Sequence, residues 1–211
     1  TKLHGTVTGR YSSRLHQVPR DGTIRNLIEA PPGWTFVQGD LSQAELRVAA
    51  IASGDPELIR CYNEGIDVHW RTTLNVLQMG GSEEYIRMAR ETVAKDYPLE
   101  YDAPLELICH LLSVMGHDRA IEIDKRWKEK RKQSKGINFG YLYGMGAWKF
   151  AEYAKLKYDW EVDHYEAEEI RNAFFSTYSS LSSWHERQRQ LVKIDGFVRS
   201  LIGRKRRLPG I

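Results

Sequence analysis

The sequence predicts an α+β protein that is mostly α, on three observations. Residues 1 to about 40 are rich in Gly, Pro and Thr with short apolar pieces such as Trp34-Thr35-Phe36-Val37. From about Val68 onward, apolar residues recur at helical spacing almost without a break. Near the end, Gly196-Phe197-Val198-Arg199-Ser200-Leu201-Ile202-Gly203 alternates in a way that suits a short strand or hairpin.

Pro31-Pro32-Gly33 bounds the first apolar piece, which predicts a strand ending at Asp40. Ser42-Gln43-Ala44-Glu45 then fits a helix-opening capping box. Leu46, Val48, Ala49, Ile51 and Ala52 supply that helix's apolar face, and Gly54 stops it. Asp55-Pro56-Glu57 opens the next helix, with Pro at the first helical position. Further helices are predicted over 69–78, 83–95, 104–115, 119–134 continuing or bending into 135–144, 147–156, 164–177 and 180–194. Gly80-Gly81, Tyr97-Pro98, Gly116 and Gly144 punctuate them.

The 211 residues are 41% hydrophobic and 28% charged, enough for a buried core and far from collagen-like or disordered compositions. Cys61 and Cys109 have no second Cys or His at ligand spacing, which excludes a disulfide scaffold and a zinc ribbon. No apolar run approaches the roughly 18 residues of a membrane helix, and an intracellular location without membrane contact is expected. The first residue is Thr rather than Met, so a fragment is expected. Net charge is only +3, but it is unevenly spread. Lys125, Arg126, Lys128, Lys130, Arg131, Lys132 and Lys135 crowd one segment, and Arg204-Lys205-Arg206-Arg207 forms another. Two such tracts with interspersed aromatics suit a phosphate backbone, although solvated faces look the same in sequence.

Arg131, Lys135, Phe139 and Tyr143 recur every four positions. On a helix of 3.6 residues per turn that spacing makes one slanted stripe. Two cations followed by two rings suit a ligand with an anionic end and a flat end, as in a nucleotide. The alternative is a core pair, Phe139 and Tyr143, beside a solvated pair. That alternative leaves Gly136 and Gly140 unexplained, each costing about 1 kcal/mol against Ala in a helix. Asp40, at a strand end, is placed to hold a hard cation or to help cap the following helix.

These residues together resemble the family A DNA polymerases. Asp40-Leu41-Ser42-Gln43-Ala44-Glu45-Leu46-Arg47 is similar to the family's motif A, and Arg131 to Gly144 is similar to its motif B on the O helix, including Ile137-Asn138-Phe139-Gly140. Thr8-Gly9-Arg10 with Ser12-Ser13, Leu15-His16-Gln17-Val18-Pro19, Asp67-Val68-His69 and Gly203-Arg204-Lys205-Arg206-Arg207-Leu208-Pro209 add matches in the family's order.

The resemblance implies a partial palm over 1–66 carrying motif A, made of short antiparallel strands plus helices. It implies a helical fingers subdomain over 67–211, with the O helix near 127–144. Between His69 and Arg131 the chain is longer than the family pattern, which predicts an inserted helical element near 79–124. The implied activity is template-directed DNA synthesis, moving a deoxynucleotide from dNTP to a primer 3′-OH by a two-metal mechanism. Asp40, with the Leu41 carbonyl, would bind two Mg²⁺ ions, Mn²⁺ being the alternative. Arg131, Lys135 and His69 would hold the triphosphate, Phe139 would stack on the nucleotide, and Tyr143 would occupy the template-side insertion position. Glu45 would exclude a ribose 2′-OH, with Gln43 beside it on the substrate. Arg10, Gln17, Arg25 and Arg204 would touch primer-template DNA.

Leu41 stands where the family has Tyr, and Gly136 where it has Thr. The family's motif C, a strand-turn with His-Asp-Glu, is expected beyond residue 211; His117-Asp118 precedes motif B and is no substitute. The expectation is a portion of a polymerase, inactive alone, that depends on separate polypeptides carrying motif C and the thumb or exonuclease regions. A split phage-type enzyme in the cytoplasm of a bacterium or infected host would fit. The competing readings are a non-catalytic primer-template-binding module and a single-subunit RNA polymerase relative.

Overall fold

A computed structural model describes residues 22–25, 27–37, 39–76, 82–98, 100, 103, 105–116 and 118–208. The chain divides into two compact units, Thr1–Ser42 with Ile194–Ile211, and Gln43–Lys193. This division differs from one at 66/67, because residues 44–63 belong with the later helices. The mostly α expectation holds: the described residues form ten helices and one two-stranded antiparallel sheet.

In the first unit, α1 spans Gly22–Arg25. Among the described residues, the strand expected to end at Asp40 does not appear. Residues 34–37 form no ladder, and Trp34, Phe36 and Val37 are exposed. Apolar and β-branched content alone does not make a strand; a neighbouring edge must accept it. The closing hairpin does form, from β1 (Phe197–Arg199) and β2 (Lys205–Arg207), with Val198 opposite Arg206. The second basic tract is therefore a strand. Arg199 and Lys205 lie over the Phe197 ring, 5.1 and 4.6 Å from its centroid, which steadies a short ribbon.

In the second unit, α2 (Ala44–Ser53) begins at Gln43, whose φ of 51° is left-handed and whose side chain makes no capping bond. The N-cap position thus falls at Gln43, one residue after the Ser42 of the expected Ser42–Glu45 capping box. Gly54, at φ 67°, ends it as predicted. The α3 helix (Pro56–Asn63) has Pro at its start, and its N-cap Asp55 is fully buried. One Asp55 oxygen accepts the Glu57 and Leu58 amides, and the other accepts the Ser180 amide at 2.9 Å. A single carboxylate so anchors the starts of two helices distant in sequence.

The remaining helices are α4 (Val68–Val76), α5 (Ser82–Val93), α6 (Leu105–Val114), α7 (Asp118–Leu142), α8 (Ala147–Tyr158), α9 (His164–Thr177) and α10 (Ser179–Asp195). Where the sequence allowed a bend near 134, α7 runs continuously. Gly144, at φ 71°, terminates it, and Leu142 O accepts from His185 Nε2 at 2.8 Å. Asp163 and Glu166 form a reciprocal capping box at the start of α9.

Two hydrophobic cores flank α7. One holds Leu46, Leu58, Ile137, Tyr141, Phe150, Phe174 and Tyr178; the other holds Ala89, Val93, Ile108, Leu112, Ile123 and Trp127. The glycines within α7 have a packing reason. A Cβ at Gly136 would lie 2.8 Å from the Tyr158 ring, and one at Gly140 would lie 2.9 Å from the Phe150 ring. Helix α8 thus approaches α7 along a face that Ala would obstruct.

Candidate functional site

The C-terminal half of α7 is enclosed on most of its circumference. Ser134, Gly136, Ile137, Asn138, Gly140, Tyr141 and Leu142 are buried. Lys132 is exposed and Gln133 half-buried at the start of this half, and beyond Ser134 the unburied positions are those of the four-residue stripe. Arg131 and Phe139 are half-buried, Lys135 is exposed, and Tyr143, just past the helix end, is 64% exposed. The reading of Phe139 and Tyr143 as a core pair therefore fails at Tyr143. The buried ring is Tyr141, stacked on Phe150 at 4.6 Å with its hydroxyl donating to Ala167 O at 2.6 Å.

Helix α4 supplies the neighbours of the stripe. Asp67 stands just before that helix and accepts the Trp70 amide at 3.0 Å, as an N-cap does. Its other oxygen accepts from Arg131 Nη2 at 2.5 Å, so one carboxylate fixes both the helix start and the guanidinium. Burial alone would raise the Asp67 carboxyl, but Arg131 and the Trp70 amide outweigh it and hold the group below the usual carboxylate range.

His69 is 5% exposed, and its ring centre lies 6.4 Å from that of Phe139. Burial lowers its pKa to about 4; Arg131 and Lys135 push the same way and Asp67 opposes them. The imidazole is thus neutral at neutral pH. Its Nδ1 is 2.8 Å from Asn138 Nδ2, and Asn138 Oδ1 is 2.6 Å from Thr72 Oγ1, which in turn is 2.9 Å from Tyr178 OH. Thr73 Oγ1 donates to Ser134 Oγ, which lies 2.8 Å from His69 O. Arg131, Lys135, Phe139 and His69 are therefore brought to one locality, on two helices cross-linked by buried polar bonds.

The other predicted residues belong to other segments of the chain. Gln43 Oε1 accepts from Tyr62 OH at 3.1 Å, and Arg47 lies over the Tyr62 ring at 4.4 Å. Glu45 is half-buried in the first turn of α2. Asp40 and Leu41 belong to the first unit and are exposed. Arg204, in the same unit, is exposed at the hairpin turn, where its amide donates to Ser200 Oγ. Arg10, Gln17 and the Arg25 side chain lie outside the described residues.

Asn138 and Asp67 are the residues that motif reading left without roles. An Asn inside a helix, where its propensity is poor, was the signal for the first. An Asp immediately before a helix was the signal for the second.

Among the described residues, no three His, Cys, Asp or Glu side chains converge as a metal site. Asp40 with the Leu41 carbonyl falls well short of the six oxygens that Mg²⁺ takes. These residues do not fit a complete two-ion site by themselves. No described helix is long and apolar enough to cross a membrane.

The family model for DNA polymerase family A matches residues 1–97 and 117–211. Residues 98–116, containing α6, lie outside the match. The chain is 33% identical to DNA polymerase I of Aquifex aeolicus over 209 residues, covering 97% of this chain and 29% of that protein. It is 28% identical to the thermostable DNA polymerase I of Thermus aquaticus, covering 98% of this chain and 20% of that protein. It is also 28% identical to the DNA polymerase of Escherichia phage T5, covering 99% and 23%. The chain thus spans less than a third of the length of these relatives.

Proposed function

Because the chain belongs to DNA polymerase family A, we propose that it contributes the nucleotide-holding part of template-directed DNA synthesis. Arg131, Lys135 and neutral His69 would grip the dNTP triphosphate, and Phe139 would cover the base or sugar. Tyr143 would stand on the template side. Glu45, with Gln43, would exclude a 2′-hydroxyl, and Arg10, Gln17, Arg25 and Arg204 would contact primer-template. In this reading residues 1–66 are a partial palm, and 67–211 are fingers with an inserted element near 79–124.

The single observation that carries the reading is that, beyond Ser134, the positions of α7 and its end that are not buried are Lys135, Phe139 and Tyr143, in line with half-buried Arg131, so that two cations and two rings share one stripe. Charge neutralisation and positioning are what phosphoryl transfer asks of such residues; no covalent intermediate with the protein is needed. Asp67 adds a constraint: it pre-orients Arg131, so that the guanidinium meets a phosphate already aimed.

Divalent metal, when bound, would stabilise the attacking and leaving oxygens. Asp40 and the Leu41 carbonyl would be this chain's share of its donors. The remaining donors would come from outside the described residues.

Titration of a matched dNTP into the chain bound to primer-template, compared with Lys135→Ala, tests the reading. Losing a charge-assisted phosphate bond should weaken dNTP binding about tenfold and leave primer-template affinity nearly unchanged. A chain that holds primer-template but ignores dNTP would be a binding module only. Equal affinity for ribonucleotides would point to an RNA polymerase relative.

A further inference from the structure

The buried bonds around His69 have a direction. Thr72 Oγ1 and Asn138 Oδ1 are 2.6 Å apart, a separation typical of O–H···O and short for N–H···O, so the amide oxygen faces Thr72 and the amide nitrogen faces His69. The one Thr72 proton has two acceptors in reach, Val68 O at 2.9 Å and Asn138 Oδ1 at 2.6 Å; the shorter separation assigns it to Asn138, and a Thr72 lone pair then accepts from Tyr178 OH at 2.9 Å. The chain of donation runs from Tyr178 to Thr72 to Asn138 and ends at His69 Nδ1, which must carry a lone pair.

We propose that Asn138 is a positioning residue that fixes His69 as the Nε2–H tautomer, so that a neutral ring N–H is offered to the triphosphate beside Arg131 and Lys135. The inference rests on the nucleotide reading above. An Asn in mid-helix is otherwise a poor choice, and Asn138 is fully buried, so its amide is committed to these partners. The charged groups acting on the ring are Asp67 from the loop before α4, and Arg131 and Lys135 from α7. Burial, aided by the two cations, keeps the ring uncharged, and the Asn138 amide decides which nitrogen bears its proton. A neutral donor suits this place, because a third full positive charge would repel the other two when no phosphate is present.

Heteronuclear NMR of the ring nitrogens in the full chain, with and without Asn138→Asp, tests the proposal. In the parent chain the Nε2–H tautomer is expected across neutral pH. The near-isosteric carboxylate accepts rather than donates, so the variant should protonate Nδ1, raise the pH at which His69 titrates, and weaken dNTP binding about tenfold. If Asn138→Asp does not fold, Thr72→Val removes the hydroxyl that holds the amide and should loosen the tautomer preference. An Nδ1–H tautomer in the parent chain, or a variant with unchanged tautomer and titration, overturns the proposal. A changed tautomer with unaltered dNTP affinity, in a chain where Lys135→Ala does weaken binding, overturns the donor role alone. If Lys135→Ala has no effect, the nucleotide reading fails and the donor role with it, while the NMR result still decides the tautomer.

Discussion

The two halves of α7 are held by different physics. From Asp118 to Lys130 the helix rests on an apolar core, in which Trp127 is 1% exposed and packs on Trp70 at 5.2 Å. Beside that core, buried Thr92 donates to Met88 O, one turn back in its own helix. From Arg131 to Leu142 the helix is tied to α4 through Asp67, His69, Thr72 and Thr73, and is pressed by α8 against two glycines. Apolar burial is adhesive and tolerant of rotation; hydrogen bonds between named atoms fix azimuth and register. The half that carries the stripe is the half that is fixed.

The largest test of this contrast is Trp127→Ala. Removing a fully buried indole should lower unfolding free energy by about 3–5 kcal/mol in urea titrations, while the His69 ring resonances stay where they are. Movement of those resonances would break the contrast, since it would show that the apolar end sets the geometry of the polar one.

Acid should act on the polar end. The His69 pKa is about 4 in the folded chain against an ordinary value of 6.5, so between those values the unfolded chain binds more protons. Stability conferred by keeping His69 neutral is present above about pH 6.5, is lost as pH falls toward 4, and amounts to roughly 3 kcal/mol. Asp67, held low by Arg131, adds loss of the same sign at still lower pH. His185, lowered by burial, contributes in the same sense as His69. Denaturation at pH 7 and pH 4.5 should therefore show a smaller acid penalty in His69→Gln than in the parent; an equal penalty would remove His69 from the account.

The smallest effect separates the two glycines. Gly140→Ala drives a methyl against Phe150, which is fully buried, and overpacking of this kind costs about 1–3 kcal/mol, partly offset by about 1 kcal/mol of helix propensity. Gly136→Ala meets the Tyr158 ring, which is half-buried rather than enclosed like Phe150, so its loss of stability should be the smaller of the two. Thermal melts of the two variants check the order. A Gly136→Ala variant less stable than Gly140→Ala would mean that α8 is braced at the wrong contact.

Much of the helical order was legible because the breakers are local. Gly54, Pro56, Gly144 and the Asp163–Glu166 pair act within one turn of themselves, and α9 falls where its spacing placed it. The strand over 34–37 was misread because strand formation depends on a partner that sequence composition does not supply. The opening of α2 was placed one residue early because Ser42 and Glu45 satisfy a pattern, whereas the N-cap position falls at Gln43. Motif spacing brought out the stripe itself. What it could not show was that Tyr178, more than a hundred residues from Thr72, shares a bond with it, or that Asp55 caps a helix beginning at Ser179. Such contacts are set by tertiary packing, and no window of neighbouring residues contains them.

The unbroken run of α7 has a mechanical meaning. Its 25 residues, at 1.5 Å each, make a shaft about 37 Å long, on which a tilt of about 10° swings one end by about 6 Å relative to the other. With no hinge along its length, leverage applied at the cationic face is delivered at Ile123 and Trp127, and slack there is returned as misalignment. Residues far from the stripe thereby become bearings, and their tolerance sets how steadily it can be aimed.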